Sequence, residues 1–381
     1  MDKNLLEKIS YKTKYFNSVD ELIKKIVNKT IVPYQLEVQP GRLKGKKICW
    51  MPCSYCYGGS SENNSEKLSH ERYLDILDQV NDGPNGGIKK IIYAGYATDP
   101  LNYEYIDDFI EKSINYKQIF GVHSKLLKVS DRLVKLLQSN SVMETSYLTI
   151  SVDGGDDKSY NLTHNLSSGV KLYNKVLENI KKITEHSNQN KSKLDISANY
   201  LITKVNSDRD IVFKGINDLI RSGVDSIRLS FPQIPRGMNS EAGSIIPSLN
   251  EANNIYKNLL PVIKEFEDLN LKVILMHYDK DKNITEPRTL PCFARFIYPA
   301  IAYDGYLSNC SQSAAVHFRD MSLGNLQTTD FWDAFYDYDS KNLFSFMKNQ
   351  FKKMVNNDCR CDRKEHTVNQ IFKEELDLKF A

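Results

Sequence analysis

Apolar residues along this chain follow two rhythms in turn: alternation of period two in short runs, and spacing of three and four in the longer stretches between them. Val19-Asp-Glu-Leu-Ile-Lys-Lys-Ile-Val27 has helical spacing with Ser18 placed to cap it, and Tyr34-Gln-Leu-Glu-Val-Gln39 alternates as a first strand. A helix is expected near Ser69–Asn81, then the Gly/Pro-rich turn Asp82-Gly-Pro-Asn-Gly-Gly87 and the strand Ile88-Lys-Lys-Ile-Ile-Tyr-Ala94. The same rhythm places further helices near Tyr103–Tyr116, Ser130–Gln138, Val170–His186 and Asp208–Ser222. Strands are expected at Ile119–Val122, Tyr147–Val152, Lys193–Ile202 and Ser226–Phe231. Strands alternating with helices predict an α/β fold with a parallel sheet and helices outside it. Six such units amount to a partial (β/α)6 TIM-like barrel, in which the loops after the strands carry function.

A Pro/Gly-rich stretch, Pro232-Gln-Ile-Pro-Arg-Gly-Met238, marks the end of this pattern. A long helix, roughly Leu249–Leu269, and a strand at Lys272–Met276 follow. Farther on, Ile301-Ala-Tyr-Asp-Gly-Tyr-Leu307 reads as a hairpin turned at Asp304-Gly305, and the last residues form a polar, helical tail. The domains expected are a helical lead (1–32), the barrel (33–235), a connecting helix and strand (236–284), a small C-terminal extension of hairpin plus helix (285–365) and a tail (366–381).

Composition narrows the setting. With 381 residues and 41% hydrophobic content the chain can bury a large core. Its net charge of +3 comes from 51 basic and 48 acidic residues with no long run of one sign, so neither a nucleic-acid groove nor a polybasic membrane patch is indicated. No signal peptide or membrane-spanning run is evident, which predicts a cytoplasmic protein. Seven cysteines, grouped as three and four, argue against a disulfide framework and for metal chemistry in a reducing compartment.

The first group is Cys49-Trp-Met-Pro-Cys53-Ser-Tyr-Cys56, just after the first strand and the basic insertion Gly41-Arg-Leu-Lys-Gly-Lys-Lys47. Three soft thiolates on one tight loop grip a metal centre from one side and leave a position open for a substrate or cofactor. The spacing alone also suits zinc completed by a distant ligand. With the aromatic Tyr55 before its last cysteine, the C-x3-C-x2-C stretch resembles the signature of the radical S-adenosylmethionine (SAM) superfamily. That resemblance implies a [4Fe–4S] cluster on Cys49, Cys53 and Cys56, with SAM on the fourth iron. One electron then cleaves SAM to methionine and a 5′-deoxyadenosyl radical able to take hydrogen from an unactivated C–H bond. A reductant such as flavodoxin or ferredoxin is implied as the electron donor.

The same resemblance directs attention to loops after the strands. Gly95-Tyr-Ala-Thr-Asp99-Pro100 stands where the family usually has Gly-Gly-Glu-Pro, so Gly95 and Asp99 are expected at the SAM amino group; Ala97-Thr98 departs from the pattern. Asp99 also reads as a turn former before Pro100. Ser151-Val-Asp153-Gly matches the family's Ser-x-Asp-Gly, with the serine on the SAM ribose. His164 stands where many relatives have an arginine, and a loop histidine is ordinarily exposed. Tyr55, Asp153, His164 and Asn199 complete the expected cofactor-binding set. His123 and Lys125 replace a common Thr-Asn-Gly, and with Arg228 they are the candidate catalytic residues.

Cys292 and Cys310 give C-x12-G-x4-C around the hairpin, and Cys359-Arg-Cys361 follows. This tail resembles the twitch extension, a shorter relative of SPASM, which implies a second, auxiliary [4Fe–4S] cluster on these four thiolates. The C-x-C pair would also suit zinc. If all seven thiols ligate clusters, none is left to return a hydrogen atom to a substrate radical. The expectation is therefore oxidation of a small polyfunctional metabolite, with the auxiliary cluster taking the electron. A peptide maturase is the alternative, weakened by an N-terminus too short for a separate peptide-recognition domain. A non-enzymatic zinc protein is the alternative from another class.

Overall fold

Helix ends in this chain are written in its polar residues. In the computed structural model, which describes residues 18–44, 49–56, 66–95, 98–190, 192–232, 242–267, 272–276 and 288–376, Ser18 caps helix α1 (Val19–Val27) through the Glu21 amide. Ser69 caps α2 (His70–Asn81) in the same way, and Ser130 caps α4 (Asp131–Leu137). The stretches 45–48, 96–97 and 233–241, which include parts of the basic insertion, the Gly95 loop and the expected boundary, lie outside the described residues.

The chain divides into two compact units. One comprises residues 38–67 and 89–285, and its strands run β2 (Lys90–Tyr93), β3 (Ile119–Ser124), β4 (Tyr147–Ser151), β5 (Asp195–Leu201), β6 (Ser226–Ser230) and β7 (Val273–Leu275). Each pairs in parallel with the next, and at the other edge the Ala94 amide donates to the Val38 carbonyl of β1 (Leu36–Val38). Between them come α3 (Ile106–Asn115), α4, α5 (Asp157–Thr163), α6 (Tyr173–Asn190), α7 (Arg209–Arg221), α8 (Ala242–Ile245) and α9 (Leu249–Glu267). This is the expected α/β fold, an open parallel sheet of the partial-barrel kind.

Register separates the sheet's two faces. Ile150, Ala198 and Ile227 form one buried cross-strand row. Ser151, Asn199 and Arg228 form the adjacent row, on the opposite face, because neighbouring side chains alternate along a strand. Two of the expected cofactor residues and one catalytic candidate thus share a single line of polar positions.

The β4–α5 loop is tight. A Cβ on Gly155 would lie 1.9 Å from the Ile211 carbonyl oxygen of α7. Gly155→Ala is therefore expected to destabilise by about 1–3 kcal/mol through overpacking, seen as a lower urea midpoint with an unchanged slope.

The other unit holds residues up to 37, 68–88 and those from 286 onward. Its hairpin pairs β8 (Ala300–Ile301) antiparallel with β9 (Tyr306–Ser308), and Gly305 supplies the left-handed backbone of the turn at φ +85°. The turn is held by Arg319, whose fork meets both Asp304 carboxylate oxygens at 2.7 and 2.8 Å. Strand β10 (Gly324–Asn325) joins β9, and α10 (Phe331–Phe335), α11 (Leu343–Asn356) and α12 (Arg363–Glu375) complete the unit. Helix α2 belongs here, with the Trp332 indole donating to the Gln79 carbonyl at 2.7 Å. Among the described residues no helix is long and apolar enough to cross a membrane.

Candidate active site

The first three thiols are presented by a short loop fastened at both ends. Trp50 donates its indole N–H to Asn102 Oδ1 at 2.9 Å, and Asn102 Nδ2 lies 3.9 Å from Cys49 Sγ. Asn102 ends the short 3₁₀ turn Pro100–Asn102, which Asp99 caps by accepting from the Leu101 amide. On the other side the Ser54 amide donates to the Thr163 carbonyl at 3.4 Å, at the end of α5. Within the loop the Cys56 amide closes a turn on the Cys53 carbonyl at 3.0 Å.

Around Cys53 the ends of β3 and β4 and helix α5 bring a polar group together. The Tyr55 hydroxyl donates to Asp153 Oδ2 at 2.5 Å, and Lys125 Nζ donates to the Tyr55 oxygen at 2.7 Å and stands 3.5 Å from the same carboxylate oxygen. Asp153 Oδ1 accepts from the Leu201 amide at 2.9 Å. His164 is fully buried, with Nδ1 3.2 Å from Cys53 Sγ and Nε2 3.5 Å from Asp153 Oδ2. Its burial corrects the expectation of an exposed loop histidine. Helix α5 was missed in the sequence, and its Asp156 N-cap, reciprocated by Ser159, was the available signal. That helix ends on His164 and turns it inward.

Burial sets the electrostatics. It pushes the Cys53 thiol up to about 12 and the Cys49 thiol to about 11. Burial and the Lys125 charge together hold the His164 imidazole well below its ordinary value, hence neutral. For Lys125 burial works against the charge, but Cys53 and Asp153 outweigh it and raise its value, so it keeps its proton. Burial raises Asp99 despite bonds from the Lys125 amide, the Ser124 hydroxyl and the Leu101 amide. Asp99 thus ties the Pro100 turn to the end of β3.

The remaining four thiols are all buried. Cys292 precedes the 3₁₀ turn Phe293–Phe296, and Cys310 follows the hairpin. Cys359 and Cys361 lie between α11 and α12. Stacking of Phe293 on Phe372, centroids 4.4 Å apart, and the Ala294 amide donating to Asn369 Oδ1 at 2.9 Å bind α12 to the Cys292 turn. Asn369 Nδ2 reaches Cys361 Sγ at 3.4 Å. Arg288 Nη2 lies 2.9 Å from Cys361 Sγ and 3.7 Å from Cys359 Sγ.

The family model described as Radical SAM superfamily matches residues 46–228, a span that contains the C-x3-C-x2-C loop together with Asp99, Lys125, Ser151 and Asn199. The chain is a radical SAM enzyme. Among solved structures this radical SAM enzyme is similar to Streptococcus suis SuiB bound to the precursor peptide SuiA, at 16% identity over 85% of this chain and 70% of that one, with a TM-score of 0.59. It is also similar to anSMEcpe with bound AdoMet, at 14% identity over 91% and 98% of the two chains, with a TM-score of 0.56. No curated protein sequence matches it. Its C-terminal cysteines lie outside the matched span and fit an auxiliary cluster.

The residues fit the groups that a radical SAM enzyme takes, a [4Fe–4S] cluster and SAM. Cys49, Cys53 and Cys56 would hold the cluster. Beside them the Tyr160 hydroxyl is buried with no hydrogen-bond partner among the described residues, as befits a polar group that faces a bound ligand. In the other unit four buried thiols gathered under a cation fit the auxiliary cluster. Among the described residues no three His, Cys, Asp or Glu side chains converge to hold one ion, and thiolates that each take a separate iron of a cube need no such point.

Of the residues singled out in the sequence, Tyr55, Lys125, Asp153 and His164 meet around Cys53, and Asp99 bonds to the Lys125 amide beside them. Ser151, Asn199 and Arg228 stand in register as one row. His123 lies on β3 with Nε2 3.2 Å from the Tyr147 hydroxyl. Gly95 is pressed against Thr98, whose hydroxyl oxygen a Cβ would meet at 1.8 Å. Tyr160, Arg288 and Asn369 escaped the sequence reading. None of the three stands in a recognisable motif, and each reaches its thiol site through packing.

Proposed function

We propose that this enzyme oxidises its substrate by two electrons. With the cluster and SAM bound, the site supplies a radical that takes a hydrogen atom from an unactivated C–H bond. The substrate radical then gives a proton to the protein and an electron to the auxiliary cluster, leaving a carbonyl, an alkene or a new cross-link. The observation that carries this reading is the grouping of all seven thiols into two sites, which leaves no cysteine to donate hydrogen back. Lys125, bound to Tyr55 and paired with Asp153, orients the reacting groups. His123 near the end of β3 would take the proton, and Arg228 would anchor an anionic or hydroxylated part of the substrate. Ser151 and Asn199 line the same face and would contact SAM.

A small polyfunctional metabolite is the substrate class first expected. A peptide substrate is supported by the similar solved structures that hold peptides, SuiB with precursor peptide SuiA and anSMEcpe with Cp18Cys peptide. Anaerobic incubation of the reconstituted enzyme with SAM, dithionite and separate panels of aminocyclitol polyols and of cysteine- or serine-bearing peptides distinguishes the two. The expected product is lighter by two hydrogens and forms in proportion to 5′-deoxyadenosine. A product of unchanged mass in ordinary water, heavier by one deuterium when the reaction is run in heavy water, would show hydrogen return and overturn the oxidative reading.

A further inference from the structure

Arg288 lies four residues before Cys292 and is partly buried. Its guanidinium is spread over the auxiliary site: Nη2 is 2.9 Å from Cys361 Sγ and 3.7 Å from Cys359 Sγ, Nε donates to the Cys359 carbonyl at 3.3 Å, and Nη1 to the Leu290 carbonyl at 3.2 Å. Among the described residues no carboxylate pairs with it. A second donor, the fully buried Asn369 amide, reaches Cys361 at 3.4 Å. Opposing charges are Glu365, buried, 3.3 Å from Lys364 Nζ and within electrostatic reach of Cys310 and Cys361, and Asp358, which reaches Cys359 and is paired with Arg360 at 3.0 Å.

Cluster potentials depend on net charge and on hydrogen bonds to the ligating sulfurs. A reduced cluster carries one more negative charge than an oxidised one, so a cation and N–H donors aimed at the sulfurs favour the reduced form. We infer that Arg288 raises the reduction potential of the auxiliary cluster, its fork spanning the Cys359 and Cys361 thiolates, and so makes that cluster the acceptor of the substrate's electron. The inference rests on the proposed oxidation in that it assumes a cluster at this site. The electron that arrives is the one released when the substrate radical loses its proton, and no further oxidant is involved.

The test uses the full-length chain with Cys49, Cys53 and Cys56 all changed to Ala, so that only the auxiliary site can load. Iron and sulfide are counted, and the cluster is titrated with redox mediators while the reduced signal is followed by electron paramagnetic resonance. At the potential where the parent is half reduced, Arg288→Gln is expected to lower the reduced-to-oxidised ratio about tenfold, which is about 59 mV for one electron. Arg288→Lys, which keeps the charge but cannot span both sulfurs, is expected between the two. An unchanged midpoint in Arg288→Gln overturns the inference. Should that variant take up no iron, Arg288→Lys decides, and a midpoint equal to the parent's overturns it. Failure of the parent itself to load, with Arg288 intact, removes the auxiliary cluster and the proposed acceptor, and is thereby distinguished from a failure of Arg288 alone.

Discussion

Replacing Cys53 by Ala is expected to abolish 5′-deoxyadenosine formation and to lower iron from about eight to about four per reconstituted chain. The geometry explains why one sulfur matters so much. Cys53 Sγ is the atom that His164 Nδ1 approaches at 3.2 Å, in the middle of the buried polar group. Burial raises the Cys53 thiol to about 12, so loading the cluster has to displace a tightly held proton, which only the metal's affinity for thiolate can drive. Without that sulfur the two remaining thiolates leave an iron unligated at the buried end of the loop. The auxiliary thiols belong to the other compact unit and should load as before. Iron counting and anaerobic SAM cleavage check this, and cleavage at the wild-type rate in Cys53→Ala would remove this loop from the radical-generating site.

Lys125→Met is expected to cost about 3–5 kcal/mol of stability and about 10²-fold or more in turnover. The Asp153 side chain is 1% exposed and that of Lys125 14%, so the pair is screened little by water. Removing the cation strands a buried carboxylate with the Tyr55 hydroxyl and one backbone amide. The two effects separate in the double variant Lys125→Met/Asp153→Asn. Neutralising both partners should recover most of the stability, because the cost lies in the unpaired charge, whereas turnover should stay low because the cation that holds the Tyr55 oxygen is gone. Urea unfolding and product formation are the paired measurements. Turnover that recovers along with stability would show Lys125 to be a structural cation only.

Much of the scaffold was legible beforehand. Ser18 before an apolar periodic run marked α1, apolar spacing marked α2 and α4, and each strand of the parallel sheet lay within or beside its expected span. The row Ser151, Asn199, Arg228 was not legible, because it depends on a strand register that only the structure gives. Asp304-Gly305 marked the hairpin, since few residues other than glycine accept the backbone at its turn. The candidate site was legible as a set of residue types and only partly as an arrangement. Helix α5 is seven residues long and too short for periodicity to reveal, so the fate of His164 stayed hidden.

By itself the sequence determined the alternation of strands and helices, the two thiol groups and hence the chemistry of a radical SAM enzyme, because these depend on local spacing and on what each side chain is. The tertiary structure alone decided which groups share an environment. Tyr55 and Asp153 are 98 residues apart, and Arg288 and Cys361 are 73 apart, yet each pair is joined by one hydrogen bond. Such contacts, and the burial that shifts the thiols, His164 and Lys125, arise from the packing of distant segments. Proton affinity follows from that surrounding dielectric and charge, which no local run of residues specifies.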